Sequence, residues 1–361
     1  METIRFGLIG YGKVAHLHAQ ALNDAKGATL VSVCGRNDQR RDEFAAKWKI
    51  KSRKDVAQMA ALDQIDAVII TTPHPLHHDD ALEAFAAGCH VLVEKPMALT
   101  EKECTAMIIA SKKANKVLSV ISQRRLYPSS MRIKEAINSG KLGKPSIGVV
   151  TILGWRDEDY YKSDPWRGKW ETEGGGVCIN QAVHQFDLLC WFMGPMKRLY
   201  AEWDNFNHPY IEVEDSAAAT IRFANGGIGS ILVSNSQKPG IYAKVHVHGS
   251  SGSSVGVQTD GGAMFFAGQE EKVVVEPPIN DLWTIAGEEN LLAKFKKEDE
   301  EFFKTVDLMT YFFSRQIEDF VQAIIEKVEP MVTGEDGREA VRLIEGIYKS
   351  GRDHLPVIFQ E

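Results

Sequence analysis

The sequence predicts an α/β protein of two domains, the first built on a parallel sheet and the second containing an antiparallel sheet. Over the first 120 or so residues, short apolar runs alternate with amphipathic helical patterns, which is typical of βαβ units. Between residues 197 and 266, strand-like runs follow one another with only short turns, which favours antiparallel pairing. The length of 361 residues suits two ordinary domains, which we place at residues 1–123 and 124–361.

Apolar and β-branched runs define the strands of the first domain, and longer patterns with one apolar face define its helices. The predicted strands are Ile4–Gly10, Thr29–Cys34, Asp66–Ile70, Val91–Val93 and Val117–Ser122. The predicted helices are Leu17–Ala25, Gln39–Trp48, His77–Ala87 and Thr100–Ala114. Thr100 and Glu103 form a capping-box pattern, so the last of these helices is expected to begin directly after Thr100.

The second domain is expected to be less regular at two places. A polar and aromatic stretch at residues 154–172 precedes three consecutive glycines and a helix that runs to about Phe192. Residues 277–310 are highly charged and are predicted to be irregular. The remaining elements are a helix at Met131–Ser139, a strand at Ser146–Leu153, and two amphipathic helices at Tyr311–Lys327 and Asp336–Ser350.

Composition excludes several functional classes. Lys and Arg number 42 against 49 Asp and Glu, and this net charge of −7 argues against nucleic acid as a partner. We expect no membrane span, because no apolar run reaches the ~18 residues that one requires. The five cysteines contain no CxxC pair, so we predict a reducing, cytoplasmic location. We also expect no metal site, because the neighbouring histidines His74, His77 and His78 lack acidic or thiolate ligands at a recognised spacing.

A glycine-rich loop joins the first predicted strand to the first helix. Residues 10–15 read Gly-Tyr-Gly-Lys-Val-Ala, which matches G-x-G-x-x-G/A in the context that a dinucleotide site requires. Gly10 permits the tight turn, and Gly12 lets the backbone approach a pyrophosphate. The helix then offers its free N–H groups to that anion. The loop therefore predicts a Rossmann domain that binds a nicotinamide dinucleotide through Gly10, Gly12, Lys13 and Val14.

The end of the second strand bears on the choice between the two nicotinamide cofactors. An NAD site usually has an acidic residue there to accept from the ribose 2′-hydroxyl, whereas this chain has Gly35 followed by Arg36. A guanidinium without the acid favours a 2′-phosphate, so NADP is slightly favoured over NAD. Two alternatives stay open: Asp38 could reach the ribose, and Arg36 could stack on adenine with either cofactor.

A Glu-Lys-Pro turn follows the strand at residues 91–93. Lys95 therefore lies at the carboxyl end of a predicted parallel strand, which is where open α/β sheets bind their ligands. Pro96 cannot continue the strand ladder, so the chain must turn there. A lysine at this place could hydrogen-bond a substrate hydroxyl and help its proton to leave; a solvated surface lysine is the alternative.

With these motifs the chain resembles the glucose–fructose oxidoreductase, inositol dehydrogenase and rhizopine-catabolism (Gfo/Idh/MocA) family. The resemblance is carried by four motifs in order: residues 10–15, 72–77, 94–96, and the triple glycine 174–176 that leads to His184. It implies a Rossmann domain followed by a C-terminal α/β domain with a large, mainly antiparallel sheet. In the family this sheet often forms an oligomer interface, which implies a homodimer or homotetramer here.

The resemblance also implies reversible hydride transfer between NAD(P) and a sugar, cyclitol or related polyol. The family's Pro-Asn-x-x-His pattern appears here as Pro73 and His77 with His74 in place of the asparagine, so the contact of that position with the cofactor is open. His77 is interpreted as capping or orienting a helix. The positions that match near the cofactor are Thr72, Pro73, His77, Glu94 and Lys95.

A histidine on the predicted helix after the triple glycine is the candidate base. Asn180, His184 and Asp187 are expected to share one face of that helix. The ordinary pKa of histidine suits removal of a hydroxyl proton near neutral pH. Many family members have Asp at position 180, where Asn180 can only hydrogen-bond, either to the base or to a substrate hydroxyl. Asp187 is expected to orient His184 or to pair elsewhere.

Side chains upstream of this helix suit a sugar. Tyr160 and Trp166 offer aromatic faces for C–H groups, and Arg167 can read hydroxyls; a packed surface loop is the alternative. Arg124 and Arg125 follow the last strand of the first domain, and we expect Arg124 to bind substrate or one of the two to form an interdomain ion pair.

These residues lead to a functional hypothesis. A secondary hydroxyl of a sugar or glycoside loses its proton to His184, while Lys95 hydrogen-bonds the same oxygen and stabilises the charge that develops on it. Reduction of a keto-sugar or oxidation of an inositol is the alternative enzymatic reading. The alternative from another class is a sensor that binds NAD(P) without turnover.

Overall fold

A computed structural model describes residues 3–261 and 277–359 of the chain. The distal end of the predicted strand region, residues 262–266, lies outside these described residues. The strands are β1 (Ile4–Ile9), β2 (Ala28–Cys34), β3 (Lys51–Arg53), β4 (Ala67–Ile70), β5 (His90–Val93), β6 (Leu118–Val120), β7 (Pro145–Leu153), β8 (Met196–Asp204), β9 (Ser216–Phe223), β10 (Ile228–Ser234), β11 (Tyr242–Gly249), β12 (Ser254–Gly261), β13 (Ile279–Trp283) and β14 (Val357–Ile358).

In the first third of the chain the helices alternate with strands along the sequence, whereas later in the chain several strands follow one another without a helix between them. They are α1 (Lys13–Asp24), α2 (Asp38–Trp48), α3 (Val56–Asp63), α4 (His77–Ala86), α5 (Glu101–Ala114), α6 (Pro128–Asn138), α7 (Glu158–Lys162), α8 (Val177–Asn180), α9 (Val183–Met193), α10 (Leu291–Phe303), α11 (Tyr311–Glu326) and α12 (Gly334–Asp353). The capping box predicted at Thr100 and Glu103 is confirmed at the start of α5.

The first sheet has six parallel strands in the order β3-β2-β1-β4-β5-β6. Its central strands are almost fully buried because helices cover both faces, as in doubly wound α/β folds. The strand order reverses between β1 and β4, and both strands end beside the glycine loop. Ligands of such sheets bind at this reversal.

The second sheet has eight strands in the order β13-β12-β11-β7-β10-β9-β8-β14. Its pairs are antiparallel except for β7 with β10, which run parallel. Strands β9 and β10 alternate buried and exposed residues, since one face packs on the protein and the other does not. The predicted fold class, a parallel sheet followed by a mainly antiparallel one, is confirmed.

By spatial grouping the chain forms two units, Met1–Gln123 with Asp307–Val341, and Arg124–Val306 with Arg342–Glu361. The sequence analysis places all residues after 123 in the second domain, whereas residues 307–341 return to the first unit. The return is driven by packing, because Phe313, Ile317 and Phe320 of α11 share a core with β1. The Gln316 amide also donates to the Val120 carbonyl at 2.7 Å and accepts from the Ser122 N–H at 3.0 Å.

The charged region at residues 277–310 is not irregular, contrary to the sequence prediction. It contains β13 and the 13-residue helix α10. Lys294 and Lys297 each pair with a glutamate one turn later, so its charges support the helix rather than disrupt it. Its apolar side reaches β13, where the rings of Phe295 and Trp283 lie 5.1 Å apart.

Within residues 3–261 and 277–359, no helix is long and apolar enough to cross a membrane. No group of three or more His, Cys, Asp or Glu side chains in the same ranges is arranged to hold a metal ion.

Candidate active site

The glycine loop makes the turn between β1 and α1 that its sequence predicts. Gly10 has a φ of +104°, a conformation that residues with a side chain rarely adopt. A Cβ atom at Gly10 would lie 2.8 Å from Thr71 Oγ1, so this position is crowded as well. The Gly10 N–H donates to the Cys34 carbonyl at 3.0 Å, which ties the loop to the end of β2.

The N-terminus of α1 is open to a ligand. The N-cap residue of α1 is Gly12, which has no side chain to hydrogen-bond the first N–H groups of the helix. A Cβ at Gly12 would meet nothing within 4 Å, and the first turn contains no acidic residue. Lys13 and Val14 are exposed there. These features fit the pyrophosphate of a dinucleotide, which needs free backbone donors, space and no negative charge.

At the end of β2, an aromatic ring takes the space that an acidic side chain would need. The Tyr11 ring crowds the position where Gly35 would carry a Cβ, and the Tyr11 hydroxyl accepts from the Asn37 N–H at 2.8 Å. An Asp or Glu at position 35 would therefore collide with Tyr11. Asp38 pairs with Arg41 at 2.7 Å, while Arg36 is exposed. Arg36 and Asp38 are therefore both exposed beyond the end of β2, and Asp38 is paired with Arg41.

His77 links the turns that follow β4 and β5. Its ring is fully buried, with Nδ1 2.8 Å from the Pro96 carbonyl oxygen and Nε2 2.8 Å from the Thr72 carbonyl oxygen. Burial lowers the pKa of His77 below its ordinary value, although both carbonyls oppose that shift. His77 thus contacts both backbone turns, and as a neutral ring it donates a hydrogen bond to one of the two carbonyls. His74, also buried, lies 5.9 Å from it between ring centres.

Thr72 has a second contact through its side chain. Its hydroxyl donates to Asp80 at 2.6 Å, and burial raises the pKa of Asp80 to about 6. Pro73 is exposed beside it. The predicted residues Thr72, Pro73 and His77 therefore lie together at the carboxyl end of β4, next to the turn that contains Lys95.

The Glu-Lys-Pro turn is anchored by a buried acid. Glu94 Oε1 lies 2.7 Å from Nε2 of His18 on α1, and Glu94 Oε2 accepts the N–H of Lys95 at 3.0 Å. His18 is fully buried, and its ring packs edge-on against Phe313. Glu94 therefore fixes the backbone of Lys95, whose half-buried side chain lies at the carboxyl end of β5.

In the second unit, the triple glycine is required by close packing. A Cβ on Gly176 would overlap the backbone carbonyl of Glu214, and one on Gly175 would overlap the hydroxyl of Tyr348. The buried Glu214 carboxylate accepts from the Gly176 N–H at 2.8 Å, the Cys178 N–H at 2.9 Å and the Tyr348 hydroxyl at 3.0 Å. Burial raises the pKa of Glu214 to about 7.

The helix predicted after the triple glycine is broken, so the expected common face of Asn180, His184 and Asp187 is wrong. Helix α8 ends at Asn180 and α9 begins at Val183, because the chain turns at Gln181 and Ala182. His184 lies in the first turn of α9 and is 9% exposed. Asp187 pairs with Arg125 at 2.6 Å, and both are buried in the second unit, so this ion pair is not interdomain.

Asn180 lies against a carboxylate that sequence reasoning did not identify. The Asn180 Nδ2 atom donates to Oε1 of Glu173, whose residue is 1% exposed. The other Glu173 oxygen accepts the Gly168 N–H at 2.5 Å. A buried carboxylate therefore contacts the side chain of Asn180.

The aromatic stretch forms a compact cluster around Tyr160. The guanidinium carbons of Arg156 and Arg167 lie 4.8 and 4.3 Å from the ring centre of Tyr160. The Tyr160 hydroxyl accepts from Arg167 at 2.5 Å and from Gln181 at 2.8 Å. Arg167 also lies 4.5 Å over Trp166. The turn at Gln181 therefore brings the predicted sugar-binding residues beside the segment that carries Asn180 and His184.

Arg124 is held within the second unit. It forms a two-pronged pair with Asp260, with Nη2 3.1 Å from Oδ1, and donates to Thr259 at 3.1 Å. Gln185 donates to the same two residues at 3.1 and 2.7 Å. The charge of Arg124 is balanced by Asp260. A substrate that contacts Arg124, as the sequence predicts, would therefore bind a guanidinium that is already paired with a carboxylate.

Three of the supporting residues, Tyr11, Glu214 and Tyr348, could not be found from the sequence, because nothing in their spacing indicates a partner. A usable signal existed for Glu173, which directly precedes the triple glycine, and for His18, which lies on the inner side of α1. The residues found only in the structure are Tyr11, His18, Glu173, Glu214 and Tyr348.

Two family models match the chain. Residues 4–122 match an oxidoreductase family described as having an NAD-binding Rossmann fold, and residues 134–358 match the C-terminal alpha/beta domain of an oxidoreductase family. Together these matches span most of both predicted domains.

Several characterised proteins are similar along the chain. Inositol 2-dehydrogenase of Rhizobium meliloti is 26% identical over 96% of this chain and 97% of its own length. D-glucoside 3-dehydrogenase of Escherichia coli is 29% identical over 63% of this chain and 69% of its own length. The crystal structure of the WlbA dehydrogenase from Bordetella pertussis, in complex with NADH and UDP-GlcNAcA, has a TM-score of 0.86 and 28% identity, and the match covers 100% of this chain and 99% of that one.

Proposed function

The chain belongs to the Gfo/Idh/MocA oxidoreductase family, and from this premise we propose that it oxidises a secondary hydroxyl of a sugar or glycoside with NAD(P). The observation that carries the proposal is the anchored turn at Glu94, which fixes the backbone of Lys95 where parallel sheets bind ligands. Relatives named for inositol, a glucoside and a nucleotide sugar support the substrate class.

In this proposal His184 removes the proton of the reacting hydroxyl. Lys95 donates a hydrogen bond to the same oxygen and stabilises the negative charge that develops there. When bound, a nicotinamide dinucleotide supplies the hydride acceptor. Gly10 makes the turn into α1, Gly12 would leave room for the pyrophosphate of the cofactor, and the first N–H groups of α1 would hold it.

Substrate recognition is assigned to the cluster around Tyr160. Its aromatic rings suit the C–H faces of a sugar. The guanidinium groups of Arg156 and Arg167 add positive charge beside the Tyr160 ring, and the charge of Arg167 is shared with Asp164 at 3.4 Å. These charges favour, as a second candidate, a sugar that carries a carboxylate or a diphosphate, as in the ligand named for the Bordetella pertussis structure. Neutral sugars and inositols are the alternatives.

The test is a panel of substrates with two variants. The wild-type protein is offered sugars, glycosides, sugar nucleotides, uronic acids and inositols, and formation of reduced cofactor is followed at 340 nm, about the nicotinamide absorption maximum. Lys95→Ala and His184→Ala are each expected to lower kcat by about 100-fold or more while cofactor binding persists. Near-normal turnover in both variants would refute the assigned roles. Tight cofactor binding without turnover of any compound would support the sensor instead.

For the cofactor itself we propose a preference for NADP. Two observations support this proposal: Tyr11 crowds out an acid at position 35, and Arg36 is exposed directly after it. Asp38 is also exposed but pairs with Arg41 at 2.7 Å. Dissociation constants for NADPH and NADH, measured by fluorescence titration, test this. Tighter binding of NADH would overturn the preference.

The open face of the second sheet supports a homodimer or homotetramer. Ile147 of β7 and Ile228 of β10 are paired in register and are 41% and 42% exposed, and Leu232 is 48% exposed. Adjacent exposed apolar side chains on one sheet face are typical of an interface. Light scattering measures the molar mass in solution. If this face mediates assembly, Leu232→Asp is expected to lower the molar mass of the wild-type oligomer towards that of a monomer. A monomeric wild-type protein would refute the proposal.

A further inference from the structure

We propose that Glu173 is a positioning residue that locks the side-chain amide of Asn180, so that Asn180 presents its oxygen, Oδ1, to the active site. The inference rests on the proposed function, in which Asn180 contacts the substrate. It assigns to a buried acid outside the family motifs the task of making an asparagine behave as a hydrogen-bond acceptor.

The first step concerns the two ends of the amide. The NH₂ and C=O groups of asparagine have nearly the same size, so only hydrogen bonding decides which end points in which direction. An amide with no such neighbour can present either a donor or an acceptor. The orientation of Asn180 therefore depends on the chemistry of its buried contact.

The second step is that the buried contact accepts only. A carboxylate has no hydrogen to donate, and Glu173 Oε1 takes the Nδ2 atom of Asn180. The opposite orientation would place two acceptor oxygens against each other. Since Glu173 is 1% exposed, water does not compete for this contact, and the energetic difference between the two orientations is large.

The third step is that Glu173 is itself fixed. Its second oxygen accepts the Gly168 N–H at 2.5 Å. Rotation of the carboxylate away from Asn180 would break this buried hydrogen bond as well. Asn180 is half-buried and ends α8, directly before the turn that leads to His184.

The consequence concerns the departure from the family pattern. Many family members have Asp at position 180, which presents acceptor oxygens. With Nδ2 held by Glu173, Asn180 also presents an acceptor oxygen, while the negative charge is on the buried Glu173 carboxylate behind it. A substrate hydroxyl can then donate to Oδ1 and is held in one orientation.

The decisive variants exchange the two groups. Glu173→Gln keeps the size of the side chain but lets it accept or donate, so the lock is lost, and kcat/KM with a substrate from the panel is expected to fall about tenfold. Asn180→Asp places two carboxylates together, and its kcat/KM is expected to fall by a similar factor. The double variant again pairs one amide with one carboxylate and is expected to recover to within about threefold of wild type.

Glu171→Gln is the matched control, because Glu171 is exposed, lies two residues from Glu173 and undergoes the same chemical change. Its kcat/KM is expected to equal the wild-type value. A Glu173→Gln variant that also keeps the wild-type value, or a double variant no better than the weaker single one, would overturn the proposal. The free energy of unfolding is measured for each variant, because a merely structural role for Glu173 predicts that kcat/KM falls only in proportion to the loss of folded protein, whereas positioning predicts a fall in kcat/KM of the fully folded variant.

A second measurement does not depend on turnover. In protein labelled with ¹⁵N-asparagine, the Asn180 side-chain resonance is identified by its absence in Asn180→Asp. Its carboxylate-bound proton is expected downfield and slow to exchange in wild type, and shifted upfield in Glu173→Gln. An unchanged resonance refutes the lock. If the wild-type protein oxidises nothing in the panel, the proposed function fails, and this resonance still decides the inference.

Discussion

His18 and Glu94 form a buried pair, with 2.7 Å between the imidazole Nε2 and the carboxylate Oε1. The other oxygen of the same carboxylate accepts the Lys95 N–H at 3.0 Å. Burial acts to raise the pKa of Glu94, but the hydrogen bond from His18 and the charges of His18 and Lys95 lower it below its ordinary value. The helix that follows the glycine loop is thereby linked to the backbone of the proposed catalytic lysine.

Removal of His18 is expected to destabilise the first unit. His18→Leu fills the same volume but leaves the Glu94 carboxylate buried without its partner, which costs about 3 kcal/mol of the free energy of unfolding. Urea unfolding monitored by circular dichroism measures this. In the double variant with Glu94→Gln the uncompensated charge is gone, so the two effects should not add; strict additivity would contradict the pairing.

Two glycines of the loop are expected to respond differently to the same substitution. Gly10→Ala must adopt a φ of +104° and crowd Thr71, so it should lower the free energy of unfolding by about 1–3 kcal/mol. Gly12→Ala enters open space and should cost less than about 1 kcal/mol, but it should weaken NADPH binding about tenfold or more. Thermal unfolding without cofactor and fluorescence titration separate the two effects. Equal losses of stability would contradict the geometry.

The role of Arg36 is separable from that of Asp38. Arg36→Ala is expected to weaken NADPH binding about tenfold, because a guanidinium–phosphate contact is lost, and to change NADH binding less than about twofold. Asp38→Ala is the comparison, since Asp38 is the residue that could otherwise read the ribose. Weaker NADH binding in Asp38→Ala, with no effect of Arg36→Ala on NADPH, would reverse the assignment.

Glu214 makes stability depend on pH. Burial raises the pKa of Glu214 from 4.5 to about 7, so its contribution is complete below the unfolded pKa and is lost as the pH rises through 7. The stability advantage of wild type over Glu214→Gln should therefore shrink by about 3 kcal/mol between about pH 5 and about pH 8.5. Urea unfolding at both pH values measures it. Glu212→Gln, an exposed neighbour, should show no such change.

The fold could be predicted from the sequence where an element depends on residues close to it in the chain. The alternation of strands and helices through residue 120 and the capping box at Thr100 both depend on local periodicity, and both are found. The return of α11 to the first unit was not predictable from local periodicity. It depends on the packing of Phe313 and Phe320 against core residues that lie roughly 300 positions earlier in the chain. Helix α10 was missed because its many charges resemble a solvated loop.

The sequence alone determined that this protein has a dinucleotide loop, a lysine directly after the strand at residues 91–93, and a histidine after the triple glycine. These are motifs whose residue types and spacing carry their own chemistry. Tertiary structure decided what surrounds them. The pairing of His18 with Glu94, the break between α8 and α9, and the placement of Glu173 behind Asn180 join residues through packing and buried hydrogen bonds, which leave no periodic mark in the chain.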